Sequence, residues 1–197
     1  MGGAALLCLL VAGPSIYRAC YLNWLLAGHD SRVMAAGWVD AHVAPGSSIY
    51  QSGTDWAHAQ FAPSAKTLEN RLARARQQGR SGRLLQVHLD QVNAGVLDRP
   101  GYDIRDLRDE NRIWETSDLP DIVVLYDSPL MAYTPIPDAL AKWTDAHYSQ
   151  AVEIAGVGQG IPSSFDQLDA FFVPFTDLGH AVRTGPNIRI FARNSLP

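Results

Sequence analysis

Between Lys66 and Arg83 the chain carries Lys66, Arg71, Arg74, Arg76, Arg80 and Arg83 against one acid, Glu69. Such a run admits two readings: a solvated helix face that keeps the protein soluble, or a surface for an anion such as a lipid headgroup or a carrier phosphate. On the second reading Arg71, Arg74, Arg76 and Arg80 are the contact candidates. No nucleic-acid-binding motif accompanies the charge, so nucleic acid is not an expected partner. Asp30 and Arg32 read either as a helix cap followed by an arginine or as a charged pair at a membrane surface. His88 and Asp90, on a strand predicted over Leu84 to Val92, would share one face, as two metal ligands or an acid–base pair would. A third ligand is missing, however, and the histidines at 29, 42, 58, 88, 147 and 180 show neither HxxxH nor HExxH spacing. The run Gly156-Val157-Gly158-Gln159-Gly160 departs from GxGxxG and leads into Ile161-Pro162, so it reads as a surface loop rather than a phosphate cradle. Trp38 falls on an apolar stripe with Met34 and Ala35, whereas Trp56, Trp114 and Trp143 lie in or beside polar stretches where a ring could stack on a sugar. With no GxSxG elbow and no Walker A pattern, these residues compose no catalytic constellation. No catalytic residue, cofactor or metal is predicted.

The 197 residues can form one domain with a real core and are too few for a complete polytopic enzyme. A net charge of -4 with 47% hydrophobic residues is ordinary for a globular chain. The two cysteines, Cys8 and Cys20, form neither a disulfide framework nor a CxxC motif. From Gly2 to Tyr17 the one polar residue is Ser15, and Arg18 is the first cation. At about 1.5 Å per residue this stretch reaches about 24 Å, short of a hydrocarbon core of roughly 30 Å, so it reads as the end of a membrane span. No basic residue precedes it, which disfavours a cleavable signal. Tyr17, Tyr21 and Trp24 follow at near-helical spacing, as aromatics do at a membrane interface. A buried core helix is the alternative.

The positioning elements follow from pattern. Asp30 or Ser31 caps a helix carrying Val33, Met34, Ala35, Ala36, Trp38 and Val39 and ending near Val43. Pro45-Gly46 turns into a strand at Ser48 to Tyr50, which stops at Gly53. Pro63 to Gln78 is helical, with Leu68 and Leu72 four apart, and Gly79 and Gly82 close it. Asn93 to Arg112 reads as a long surface connection. Ile122 to Tyr126, apolar throughout, predicts a central strand covered on both faces. Pro135 to Tyr148 reads as a helix, Val152 to Ala155 as a short strand, Phe165 to Phe172 as a helix or turn, and Asn187 to Arg193 as an edge strand. Alternating strands and helices predict an α/β fold: a small open, mostly parallel sheet with flanking helices, preceded by the end of a transmembrane helix. Residues 1–28 form the span and interfacial segment, and 29–197 the domain.

The order of short motifs carries a resemblance. Asp30-Ser31-Arg32, then Gly37-Trp38-Val39 and Ala44-Pro45-Gly46-Ser47, resemble the segment after the final span of bacterial family-39-type membrane glycosyltransferases, relatives of protein mannosyltransferases. Pro100-Gly101-Tyr102-Asp103, Leu119-Pro120-Asp121 leading into Ile122 to Leu125, Phe171-Phe172 with Phe175, and Thr184-Gly185-Pro186 before Ile188 to Phe191 are similar to that family's later motifs, in the same order. The likeness implies an enzyme that moves a sugar from a polyprenyl-phosphate carrier to an acceptor outside the cytoplasm. This chain would be its non-catalytic C-terminal extracytoplasmic domain, on the periplasmic side of the cell membrane. In that family the catalytic acid lies on the first extracytoplasmic loop, and no residue here matches that motif. The expected partners are the membrane and, through the parent enzyme, the polyprenyl-phosphate sugar donor. The alternative is a stand-alone membrane-anchored α/β domain that binds a sugar or nucleotide.

Overall fold

The fold is seen in a computed structural model, which describes residues 2–96, 98–105, 113, 118–130, 133–158, 164–166 and 171–194, with residues 2 and 4–9 described as backbone alone. Five helices and five strands are assigned in it: α1 (Gly2–Ala27), α2 (Ser31–His42), β1 (Ser48–Gln51), α3 (Ala65–Gln77), α4 (Arg83–Asn93), β2 (Asp103–Arg105), β3 (Ile122–Asp127), α5 (Asp138–His147), β4 (Tyr148–Ile154) and β5 (Asn187–Arg193). A short 3-10 turn spans Leu178–His180.

Helix boundaries follow the capping chemistry in the sequence. Asp30 caps α2 by accepting the Arg32 backbone N–H at 2.9 Å, and the chain becomes extended at Val43. Ser64 caps α3 by accepting the Thr67 N–H at 3.2 Å. At the other end, Gly79 takes φ +66°, which favours glycine, and a Cβ at Gly82 would lie 2.3 Å from a Leu72 methyl, so that side chain would have to shift.

The strands lie in the order β2-β1-β3-β5-β4. β1 pairs in parallel with β2 and β3, while β5 pairs antiparallel with both β3 and β4. The sheet is therefore mixed rather than mostly parallel. β4 nonetheless runs in the same direction as β3, because both oppose β5. α5 makes the crossover between them, and the returning chain fills the gap with a strand of opposite sense.

β3 is the middle strand, as its apolar run predicts. Ile122, Val124 and Tyr126 face one side, with Ala35 and Val39 of α2 and Ile188 and Ile190 of β5. Val123 and Leu125 face the other, with Leu140 and Trp143 of α5 and Phe191. Helices thus cover both faces of the sheet. A third cluster, Leu68, Leu72 and Leu89, joins α3 to α4.

Several expectations are corrected. Residues 84–92 form helix α4, not a strand: Leu85, Leu89 and Val92 at i, i+4, i+7 pack toward α3, while Leu84 is 86% exposed. β5 is interior, not an edge. Its charges are accommodated there because Arg193 reaches Asp121 at 2.8 Å at one end, and the Arg189 guanidinium lies over the Phe191 ring at 6.0 Å. The edges are β2 and β4; β4 spans seven residues, longer than the short strand expected, and its register breaks between Gln150 and Val152. The polar stretch 93–112 contains β2, three half-buried residues against β1, with 97 and 106–112 outside the described residues. Of the helix or turn expected over Phe165 to Phe172, residues 167–170 lie outside the described residues, and Phe165 bridges to Pro174.

α1 has 26 residues, yet among the described residues no helix is long and apolar enough to cross a membrane. It touches the body through its last turns. The Tyr21 hydroxyl donates to the Ala181 carbonyl at 2.9 Å, and Leu25 is buried among Val157, Val173 and Ala181.

Candidate functional site

The basic run acquires its geometry from α3. While Leu68 and Leu72 turn toward α4, the flank Arg71, Arg74, Ala75 and Gln78, at i, i+3, i+4 and i+7, lines a cleft of about 560 Å³. Arg80 and Ser81 of the α3–α4 reversal add to it, Ile104 and Arg105 close the β2 side, and Gln51 ends β1 at its floor. Asp55 to Phe61 without Trp56 and Ala57 form the remaining wall. The cleft opens beyond the carboxyl ends of two parallel strands. From β1 the chain runs outward to β2 and then returns across β1 to β3, so the topological switch point lies between β1 and β3, beside the cleft, which the ends of β1 and β2 border.

Three of the four arginines singled out in the sequence, Arg71, Arg74 and Arg80, line this cleft. Arg76 does not; its guanidinium donates to the Gln86 side chain of α4 at 3.2 Å. Arg105 is the cation that local pattern missed. It is held by two bonds to Asp118, 2.7 Å to the carboxylate and 2.8 Å to the carbonyl. Its position at the end of a three-residue strand within a polar stretch gave no periodic signal.

The floor is a buried polar network. Tyr126 donates its hydroxyl to the Gln51 side-chain oxygen and accepts the Ala59 N–H at 2.8 Å. Burial raises the Tyr126 phenol well above its ordinary range, so it remains a donor at neutral pH. His58 packs against the Tyr126 ring, with centroids 5.5 Å apart. Its Nε2 lies 3.0 Å from the Ser52 carbonyl, which can only accept, so Nε2 carries the proton and Nδ1 faces Asp55 at 3.7 Å. His58 was noted in the sequence as one scattered histidine; only the fold sets it between two clefts.

The second cleft, about 660 Å³, lies across the Asp55–Gln60 ridge and is lined by Asp30, Arg32, Asp40, Trp56 and Arg99 among others. Trp56 is 65% exposed there. Arg32 bonds both Asp30 oxygens at 2.8 Å, donates to the Trp56 carbonyl at 2.8 Å and lies over the Phe172 ring at 5.6 Å. Burial opposes the Asp30 charge, but the hydrogen bonds from Arg32 outweigh it and hold the carboxyl below its ordinary range. Asp30 is thus both a cap and an ion-pair partner.

The other sequence candidates are dispersed. On α4, His88 and Asp90 are two positions apart and point about 200° away from each other, so the shared face expected of a strand does not exist. Among the described residues no group of three His, Cys, Asp or Glu side chains could hold a metal. Trp38 packs on the core and stacks on His42, and Trp143 is buried against Tyr148. Trp114 and the Gln159-Gly160 end of the glycine run lie outside the described residues. Gly156, at its start, has a structural reason: a Cβ there would lie 2.1 Å from the Gly185 carbonyl oxygen.

Residues of the resembling motifs mostly hold the fold. Gly185 sits against Asp30 and Ser31, the Ser31 hydroxyl donates to the Pro186 carbonyl at 2.7 Å, and the Tyr102 hydroxyl donates to the Val39 carbonyl at 3.2 Å. Asp121 accepts from both the N–H and the hydroxyl of Ser48, at 2.9 and 2.8 Å. Phe172 is buried at φ +57°, whereas Phe171 and Phe175 stand exposed. Together with Tyr17, Leu22 and Leu26 of α1 they line a groove of about 880 Å³. Comparison of the chain with protein-family models, with curated proteins and with solved structures returns no match to any of them.

Proposed function

We propose that this chain is the extracytoplasmic, non-catalytic α/β domain of a membrane glycosyltransferase that uses a polyprenyl-phosphate sugar donor, held at the bilayer by α1. The observation that carries the reading is the surface of α1 and its base. Leu10, Val11, Ile16, Tyr17, Leu22, Trp24 and Leu26 are exposed, and at about 100° per residue they fall on all sides of the helix. A helix apolar all round suits a lipid surround better than a groove on a partner, which would ask for one apolar stripe. Tyr17, Tyr21 and Trp24 contact one another in series, with centroids 6.0 and 5.4 Å apart, beside Arg18, the arrangement that marks a lipid–water interface. Phe171 and Phe175 continue the apolar surface onto the domain.

The ordered series of motifs supports the transferase assignment, and the domain's part in it is to shape the rim of the site where carrier and acceptor meet. Two assays test the reading. The chain floats with phosphatidylcholine vesicles, and replacing Leu10, Val11 and Ile16 by serine leaves it in the soluble fraction. In membranes carrying the transferase, removing residues 30–197 while the spans stay inserted abolishes sugar transfer from a polyprenyl-phosphate donor; unchanged transfer overturns the assignment.

A further inference from the structure

We infer that the cleft between the start of α2 and the Asp55–Gln60 ridge is a binding site for a neutral saccharide, which stacks on the Trp56 ring and hydrogen-bonds to Arg32, Asp40 and Arg99. Trp56 is 65% exposed, and among the described residues its side chain has neither a ring contact nor a hydrogen bond. The backbone beneath it is nevertheless fixed. Its carbonyl accepts from Arg32 at 2.8 Å, and the following Ala57 is fully buried, with its N–H bonded to the Thr54 carbonyl at 2.9 Å. The indole is thus a large apolar plate, presented from a fixed base into a hollow of about 660 Å³, within the range of small-molecule sites.

The charges of the cleft set the class of ligand. Arg32 is bonded to both Asp30 oxygens at 2.8 Å, and Arg99 donates to Asp40 at 2.8 Å and to the Gln60 carbonyl at 3.2 Å. Each arginine of the lining is therefore offset by an acid of the same lining, and neither calls for an anionic ligand. Asp55, the remaining acid, stands 86% exposed at the mouth, where water screens it. What the pairs offer is direction. Among the described residues Arg32 uses three of its five N–H groups and Arg99 two, and the Asp40 oxygen that receives Arg99 keeps a second lone pair. Donors and acceptors held in place by their own bonds suit hydroxyl groups, each of which both donates and accepts. A pyranose joins such hydroxyls to an apolar face of C–H groups that fits a flat indole. An aliphatic ligand would strip water from the paired charges and replace none of its hydrogen bonds.

This site does not rest on the transferase reading, and the full chain alone tests it, in a detergent without a sugar headgroup. Saturation-transfer NMR is run with methyl glycosides and short neutral oligosaccharides of glucose, mannose, galactose and arabinose, each at up to about 10 mM, which reaches weak affinities. At least one neutral saccharide binds, and Trp56→Ala weakens it by about tenfold or more. Trp56→Phe, which keeps a ring, gives a smaller loss. Phe175→Ala removes another exposed ring, outside the cleft, and changes binding by less than about twofold. Raising salt from about 50 mM to about 500 mM also changes it by less than about twofold, because no net charge is bound. Thermal unfolding of each variant verifies that it is folded. Nucleosides stack on indole as well, so adenosine and uridine are titrated beside the glycosides. No signal from any neutral saccharide, equal losses in Trp56→Ala and Phe175→Ala, or tighter binding of a nucleoside than of every saccharide overturns the proposal.

Discussion

α1 and the α3–α4 hairpin both lie outside the central sheet, yet they solve the problem of a peripheral helix in opposite ways. The hairpin buries Leu68, Leu72 and Leu89 between its own two helices and turns arginines outward. α1 buries Leu25 and half-buries Tyr21 while leaving apolar side chains exposed between Leu10 and Leu26. An amphipathic pair is complete in water, because each apolar stripe has a partner. On the proposed reading, the exposed apolar side chains of α1 are covered by lipid. The contrast is between a hairpin whose apolar stripes face each other and a helix whose apolar side chains stand exposed, and the junction of α1 with the domain is the contact of Asp30 and Ser31 with Gly185.

That junction gives the largest expected effect. Gly185 has φ +91°, and a Cβ would lie 2.2 Å from the Ser31 hydroxyl and 2.6 Å from an Asp30 oxygen. Gly185→Ala must displace the start of α2, and it should destabilise the domain by about 3 kcal/mol or more in urea unfolding. A change below about 1 kcal/mol would mean that the junction yields freely and that α1 is only loosely set on the domain.

Two leucines sharpen the comparison at intermediate size. Leu25→Ala and Leu72→Ala each remove a buried side chain from a small cluster, and each should cost about 2–4 kcal/mol of stability in detergent-free unfolding. Their second readouts differ. In backbone hydrogen exchange, Leu25→Ala should loosen the last turns of α1 without touching α3 and α4, whereas Leu72→Ala should loosen α3 and α4 without touching α1. Matching effects on both readouts would show that the two regions are one cooperative unit.

The smallest expected effect is on pH dependence. The Asp30 and Asp121 carboxyls are both held below their ordinary range, against burial: Asp30 by its bonds from Arg32, Asp121 by its bonds from Ser48 with Arg193 nearby. In the unfolded chain they titrate near the usual aspartate value of about 3.9. Their contribution to stability is present above that pH and is lost as pH falls below it toward the folded-state values. Unfolding midpoints measured between about pH 6 and pH 3 should therefore fall at the acid end, and Asp30→Asn should flatten that fall. An unchanged slope in Asp30→Asn would remove Asp30 from the account.

How much of this was legible depended on range. The α2 cap at Asp30, the extent of α3 and the central place of β3 rest on interactions within a few residues or on a run buried on both faces, so local pattern was sufficient. Residues 84–92 misled because Leu84 and Val87, both exposed, fill the apolar count of a strand, while the helical spacing of Leu85, Leu89 and Val92 becomes decisive only once α3 lies opposite. β5 misled because arginines that alternate with apolar residues normally mark an edge, and the acid and the ring that receive them, Asp121 and Phe191, are placed by pairing.

The sequence by itself determined the helix caps, the apolar core strand and the supply of arginines. Only the tertiary structure decided that β5 would divide β3 from β4, that Arg76 would turn aside to Gln86, and that Arg105 and Gln51 would join Arg71, Arg74 and Arg80 around one hollow. Local order follows from hydrogen bonds and packing between near neighbours, whereas a cleft is a relation among segments brought together by burial of a shared core, and no window of sequence contains it.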